Sequence, residues 1–217
     1  MRTLLYVMLA VLGMVCSTKA APLSDAELKN LLAAIRQNRT TQADFQEERV
    51  IRLMKKPIVS SGTVSFQPPN KFRREVNGNS PSKSVSDGRD LWIYYPNFKS
   101  AERYPLGKGS PLDATVAAIN SALNLENIEA SFNITATKTG NGYALQLLPR
   151  SYAMKRAFQK LDLRITGKFR VEGTDMLLPN GDRIVTTYSN QARAPIPASA
   201  FEFKPPQGTD VTTPLGQ

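Results

Sequence analysis

The sequence predicts a mainly antiparallel α+β fold. Short β-prone runs bounded by Pro, Gly and Asn recur between residues 41 and 104 and again between 131 and 203. Two stretches instead carry apolar residues at helical spacing, one ahead of the strands and one midway through them. Helices with a single apolar stripe gain most of their stability from packing it on something, and a curved sheet offers such a surface. No repeat, low-complexity segment or linker divides the chain, so residues 21–217 read as one domain.

Residues 1–20 read as a cleaved secretory signal. Arg2 gives the positive start, residues 4–15 the apolar centre, and Thr18 and Ala20 the small residues before the cut. The apolar run is too short for a membrane span. Met14 and Val15 ahead of Cys16 match a lipid-attachment signal poorly, so Cys16 leaves with the leader. About 197 residues remain, without cysteine, and the chain has no histidine at all.

The first helix starts at Ser24, an N-cap that forms a capping box with Glu27. Leu23 and Leu28 occupy the staple positions, Leu28, Leu31, Leu32 and Ile35 make one stripe, and the helix ends near Arg39. Strands follow at about residues 41–54, 59–66, 71–76 and 82–86. Val64 and Phe66 alternate with polar neighbours, and Phe72, Arg74 and Val76 share one side of the next strand. Asp87-Gly88 suggests a tight type I′ hairpin turn. The run after it, Leu91-Trp92-Ile93-Tyr94-Tyr95, is apolar at five consecutive positions until Pro96 stops it. A strand apolar on both sides has both faces covered, so this one should lie centrally.

A further strand spans residues 99–104. Ser110-Pro111 then opens a second helix with Leu112, Val116, Ile119 and Leu123 on one face. Beyond it come a hairpin at 131–148, a loop at 149–154, and strands at 161–165, 169–178 and 183–188. A short terminal strand, Phe201-Glu202-Phe203, precedes a disordered tail after Val211.

The residue inventory argues against catalysis. Without His or Cys, the usual general base, the Ser-His and Cys-His pairs and the commonest metal ligand are missing. Glu47 and Glu48 point to opposite faces of a strand. Asp87, Asp90 and Asp182 belong to turns, and no carboxylate spacing suits calcium. The reading is a protein that is not an enzyme and takes no metal or cofactor. Its net charge of +10, about +8 without Arg2 and Lys19, suits an acidic partner such as phospholipid headgroups or an acidic protein surface, or simply makes a solvated basic face. The aromatics do not interleave with the basic residues as a nucleic-acid stacking platform requires. Two-sided apolar strands fit either a cavity in a curled sheet or an ordinary packed core, and pattern alone leaves both open.

Three segments carry a family resemblance. The first holds Ser61-Gly62-Thr63-Val64-Ser65-Phe66, Pro69-Asn70-Lys71-Phe72 and Val85-Ser86-Asp87-Gly88-Arg89-Asp90-Leu91-Trp92-Ile93-Tyr94. The others are Ala43-Asp44-Phe45-Gln46 and Phe201-Glu202-Phe203-Lys204-Pro205-Pro206-Gln207-Gly208 with Val211. In this order they resemble the LolA family of periplasmic outer-membrane lipoprotein carriers. The resemblance implies an incomplete, curved β-barrel with helices forming a lid over its concave apolar face. It implies a monomeric carrier in the periplasm of a Gram-negative bacterium, binding lipoprotein acyl chains. Its partners would be an inner-membrane lipoprotein-releasing transporter and an outer-membrane receptor lipoprotein. The chain departs from the family in two places: Pro68 stands where an Arg often hydrogen-bonds the lid helices, and the pair Arg73-Arg74 differs from the usual aromatic or apolar residue.

On this reading the acyl-chain cavity is lined by Phe45, Val64, Phe66, Phe72, Leu91 and Ile93 from the sheet and Leu112, Val116 and Ile119 from the second helix. Leu91 and Ile93, rather than Trp92 and Tyr94, are taken to face inward. The alternatives are a carrier of another amphiphile (a glycolipid or polyene lipid), a lipid-acting enzyme, or a lipoprotein-sensing interaction module.

Overall fold

The computed structural model describes residues 21–68, 70–106 and 128–214. Leu112, Val116 and Ile119, with the second helix expected around them, lie outside the described residues, as does the leader. Helix α1 (Asp25–Gln37) starts as its sequence dictates. The Ser24 N–H donates to Glu27 Oε2 at 3.0 Å and the Glu27 N–H donates to Ser24 Oγ at 3.4 Å, so each end of the box satisfies an otherwise free donor. At the other end Asn38 Nδ2 donates to the Ala34 carbonyl at 2.9 Å and closes the last turn.

Twelve strands follow: β1 (Gln42–Val50), β2 (Ile58–Gln67), β3 (Lys71–Asn77), β4 (Ser82–Ser86), β5 (Asp90–Tyr95), β6 (Ser100–Pro105), β7 (Phe132–Thr139), β8 (Gly142–Pro149), β9 (Lys160–Thr166), β10 (Val171–Leu177), β11 (Arg183–Ala192) and β12 (Asp210–Thr212). Among the described residues they form one sheet in the order β12-β6-β5-β4-β3-β2-β1-β11-β10-β9-β8-β7. Two meanders, β1–β6 and β7–β11, are joined where β1 pairs antiparallel with β11. Every neighbouring pair is antiparallel except β12 with β6. The sheet is open, with β12 at one edge and β7 at the other. The β2–β3 crossing is tight at Gly62, where a Cβ would sit 1.8 Å from the Glu75 carbonyl oxygen, so only glycine fits.

Helix α1 covers one end of the concave face. Leu31, Leu32 and Ile35 are buried in one cluster with Phe132, Leu147 and Leu163. Leu161 and Leu163 alternate along β9 and share a face, so the strand that carries the helix also continues toward the rest of the concavity.

Four expectations are corrected. The loop expected at 149–154 contains the start of a short helix, Tyr152–Ala157, because Ser151 is a good cap whose Oγ accepts from the Met154 N–H at 3.2 Å. Phe201-Glu202-Phe203 is not a strand. Its first residue closes a 3-10 turn, Ala198–Phe201, and the terminal strand comes later, at Asp210–Thr212, after Gly208 reverses the chain at φ +77°. The Asp87-Gly88 hairpin is not a two-residue type I′ turn. Ser86 pairs with Leu91, and only Gly88 of the central pair has positive φ. Asp87 Oδ1 instead accepts the N–H groups of Arg89 at 2.8 Å and Asp90 at 2.9 Å. Burial would raise the Asp87 carboxyl, but those donors outweigh it and hold it below the usual carboxylate range. Finally, β5 is paired on both sides but lies third from the β12 edge rather than at the centre.

Candidate functional site: a cavity in the curled sheet

Side chains two residues apart along a strand face the same way. Phe45 and Glu47 of β1, Val64 and Phe66 of β2, Phe72 and Arg74 of β3, and Leu91 and Ile93 of β5 follow this spacing, and all eight line one cavity. Ser84 of β4 joins them. From the second meander come Leu161 of β9, Thr174 and Met176 of β10, and Ile184, Thr186 and Tyr188 of β11. These eight strands are consecutive in the sheet, from β5 round to β9. Laid flat, they would span about 34 Å at the usual strand spacing. That they enclose one cavity of about 330 Å³ shows how strongly the sheet curls.

The six sheet residues expected from the sequence are thus brought together, and Leu91 and Ile93 do face inward. The outward face of β5 meets the C-terminal segment. The Phe203 ring lies 5.6 Å from both Trp92 and Tyr94, and the Arg73 Nη1 donates to the Ala200 carbonyl at 2.9 Å on the same outer face. This explains the five-residue apolar run: alternate residues serve a cavity on one side and an aromatic cluster on the other.

Sequence reasoning missed the polar part of the wall. Arg74 donates to Glu47 Oε2 at 3.0 Å, and its guanidinium carbon lies 4.3 Å over the Phe45 ring. Tyr188 faces the same space. Burial pushes its hydroxyl up to about 12, against a hydrogen bond with Thr174 that works the other way. Thr174 and Thr186 are themselves buried. The place of Leu161, Thr174 and Met176 in this cavity was not legible in the sequence, because it follows from the β1–β11 pairing across some 140 residues of chain.

Two motifs that carry the resemblance also touch. Asn70 Nδ2 donates to the Gly88 carbonyl at 3.2 Å, and the Gly88 N–H donates to Ser86 Oγ at 3.1 Å. A Cβ at Gly88 would lie 2.4 Å from Asn70 Oδ1, so Asn70 and the Asp-Gly loop lock each other beside β3 and β5.

The profile of the family described as outer membrane lipoprotein carrier protein LolA matches residues 36–204. An outer-membrane lipoprotein carrier protein of Methylibium petroleiphilum is 30% identical over 204 residues, covering 92% of this chain and 95% of the relative. One from Dechloromonas aromatica is 28% identical over 179 residues, covering 82% of this chain and 83% of the relative. Among solved structures, a LolA superfamily protein of Nitrosomonas europaea superposes with a TM-score of 0.46 at 12% identity, over 81% of this chain and 97% of that one. With the family profile spanning both meanders and the strands that wall the cavity, the chain belongs to the LolA family of outer membrane lipoprotein carrier proteins.

Proposed function

We propose that the cavity holds the acyl chains of a lipoprotein, with Phe45, Val64, Phe66, Phe72, Leu91 and Ile93 as its apolar wall. The protein is a periplasmic lipoprotein carrier, not an enzyme, as its family is. The observation that carries the assignment to this site is the cavity itself: about 330 Å³, lined by eight strands, seven of which contribute apolar side chains. An acyl chain in water costs about 0.8 kcal/mol per exposed CH₂, roughly 10 kcal/mol for a fourteen-carbon chain, so a container is what transfer requires. Transfer requires release as well. Glu47, Arg74, Ser84, Thr174, Thr186 and Tyr188 interrupt the apolar wall, which tempers the grip on a hydrocarbon chain.

In this reading residues 1–20 direct export and are removed, leaving residues 21–217 to act as one unit. The carrier receives its cargo from an inner-membrane transporter and passes it to an outer-membrane receptor. Mass spectrometry of the protein purified from the periplasm tests the assignment. The expected result is a co-purified acylated polypeptide that is lost when Ile93 is replaced by Trp. Turnover of a lipid, abolished by changing one Ser or Asp, would overturn it in favour of an enzyme.

A further inference from the structure

The β1–β2 hairpin carries a surface that the cavity does not use. Its connecting residues, 51–57, lie beside the turn that joins β10 and β11. Leu53 at the tip is 97% exposed, Met54 50% and Val59 57%, with Val50 and Ile58 also exposed. Between them stand Arg49, Arg52, Lys55 and Lys56, all exposed. The stretch 49–58 contains four cations and no acid. None of these four cations forms an ion pair with a described residue.

The tip is held in place. The Arg52 N–H donates to Asp182 Oδ1 at 3.1 Å, the Met54 N–H donates to the Ile51 carbonyl at 2.9 Å, and the β1–β2 ladder is intact to Arg49 opposite Ile58. The Arg52 side chain also lies where a Cβ on Gly181 would meet it, at 2.5 Å. The apolar group is therefore presented by a braced hairpin.

Clustered large apolar side chains in water mark an interaction surface. Here they sit on the connection of a two-stranded hairpin and are interleaved with exposed cations. A protein partner would need a matching socket, deep, apolar and acid-rimmed. A bilayer with anionic headgroups needs no socket: apolar tips enter the acyl boundary while Lys and Arg stay at the phosphates. We infer that the β1–β2 hairpin tip docks the protein on an anionic membrane surface, with Leu53 and Met54 inserted and Arg49, Arg52, Lys55 and Lys56 at the headgroup phosphates. The same strand, β1, carries Phe45 and Glu47 in the cavity wall. Leu53 lies six positions beyond Glu47, at most about 20 Å if the chain stayed extended and less with the turn at residues 51–54, so docking brings that end of the cavity toward the bilayer.

Sedimentation of residues 21–217 with vesicles tests this, using phosphatidylglycerol–phosphatidylethanolamine vesicles and pure phosphatidylcholine vesicles at low salt. The protein is expected to partition onto the anionic vesicles and to come off as salt is raised. The Leu53→Asp/Met54→Asp variant should lose at least tenfold in partitioning, and Lys55→Glu/Lys56→Glu more than tenfold on anionic vesicles only. Both variants should keep the parent melting temperature and the parent affinity for a fluorescent fatty acid. That separates this inference from the cavity assignment, since a lost fatty acid site with intact vesicle binding would fault only the latter. A parent protein that ignores phosphatidylglycerol vesicles overturns the inference, as do variants that sediment like the parent. Capture of an acidic protein through Leu53 without any vesicle binding overturns it in favour of a protein socket.

Discussion

Arg74 and Glu47 form a charged pair, 3.0 Å between Nη2 and Oε2, set in the wall of a mostly apolar cavity. The guanidinium also covers the Phe45 ring at 4.3 Å, so one side chain bridges the apolar and polar parts of the wall. Removing one partner leaves the other charge in a poorly solvated place. Glu47→Leu alone should therefore lower stability to urea by ~1–3 kcal/mol, less than a fully buried pair because both side chains keep some exposure. Arg74→Met/Glu47→Leu should recover most of that loss and bind a long alkyl ligand several-fold more tightly than the parent. A double variant as unstable as the single one would show that the pair does more than neutralise itself.

Ile93 reaches the cavity from β5 and is only partly buried, so a larger side chain can enter the space without displacing the core. Ile93→Trp should weaken binding of a fluorescent fatty acid at least tenfold, at a cost of ~1–3 kcal/mol in stability from overpacking. Trp92, one residue away, points to the opposite face. Trp92→Phe should leave fatty acid affinity within about twofold, measured in the same titration.

On the outer face, Phe203 contacts Trp92 and Tyr94 at equal centroid distances of 5.6 Å. Phe203→Ala should cost ~2–4 kcal/mol in chemical unfolding. Trp92 is the only tryptophan in the chain, so its emission reports this site alone. The expected change is a red shift in the folded state, and an unchanged spectrum would mean that Phe203 does not cover the indole.

Alkaline pH should open the cavity wall. Burial raises the Tyr188 hydroxyl to about 12, above its ordinary value of 10. A raised folded-state value means the native state holds its proton where the unfolded chain has released it. The stability linked to Tyr188 is thus whole below pH 10 and falls as pH rises toward 12. Tyr188→Phe should lessen this alkaline loss, which Tyr104, also raised to about 12, shares, in a pH series of urea midpoints, while leaving the neutral-pH curve nearly parallel to the parent.

Much of this was legible in the sequence, for local reasons. The Ser24–Glu27 box, the alternation of Val64 with Phe66, and the apolar run at Leu91 each depend on near neighbours, and each appears where expected. The six sheet residues of the cavity share one logic: alternate apolar residues in the first meander. What was not legible depends on distant pairing or on competition. Tyr188, Thr186 and Met176 join the wall only because β1 pairs with β11. Arg74 looked like a departure from the family pattern, whereas its partner Glu47 lies on the same face one strand beyond the neighbour, across β2. Pro68, where the resemblance implies an arginine, offers no donor, and the cavity's guanidinium comes from Arg74 instead. Phe203 read as part of a short terminal strand, but the ring contacts with Trp92 and Tyr94 hold it across the sheet rather than within it.

The most direct test of the central claim is a titration of residues 21–217 with a synthetic diacylated lipopeptide, followed by native mass spectrometry. The same peptide without its acyl chains, and the Ile93→Trp variant, serve as comparisons. The expected result is a one-to-one complex with the acylated peptide, none with the unacylated one, and at least a tenfold loss in the variant. Equal binding of both peptides, or an Ile93→Trp variant that binds the acylated peptide as the parent does, would contradict the claim that this cavity carries the acyl chains.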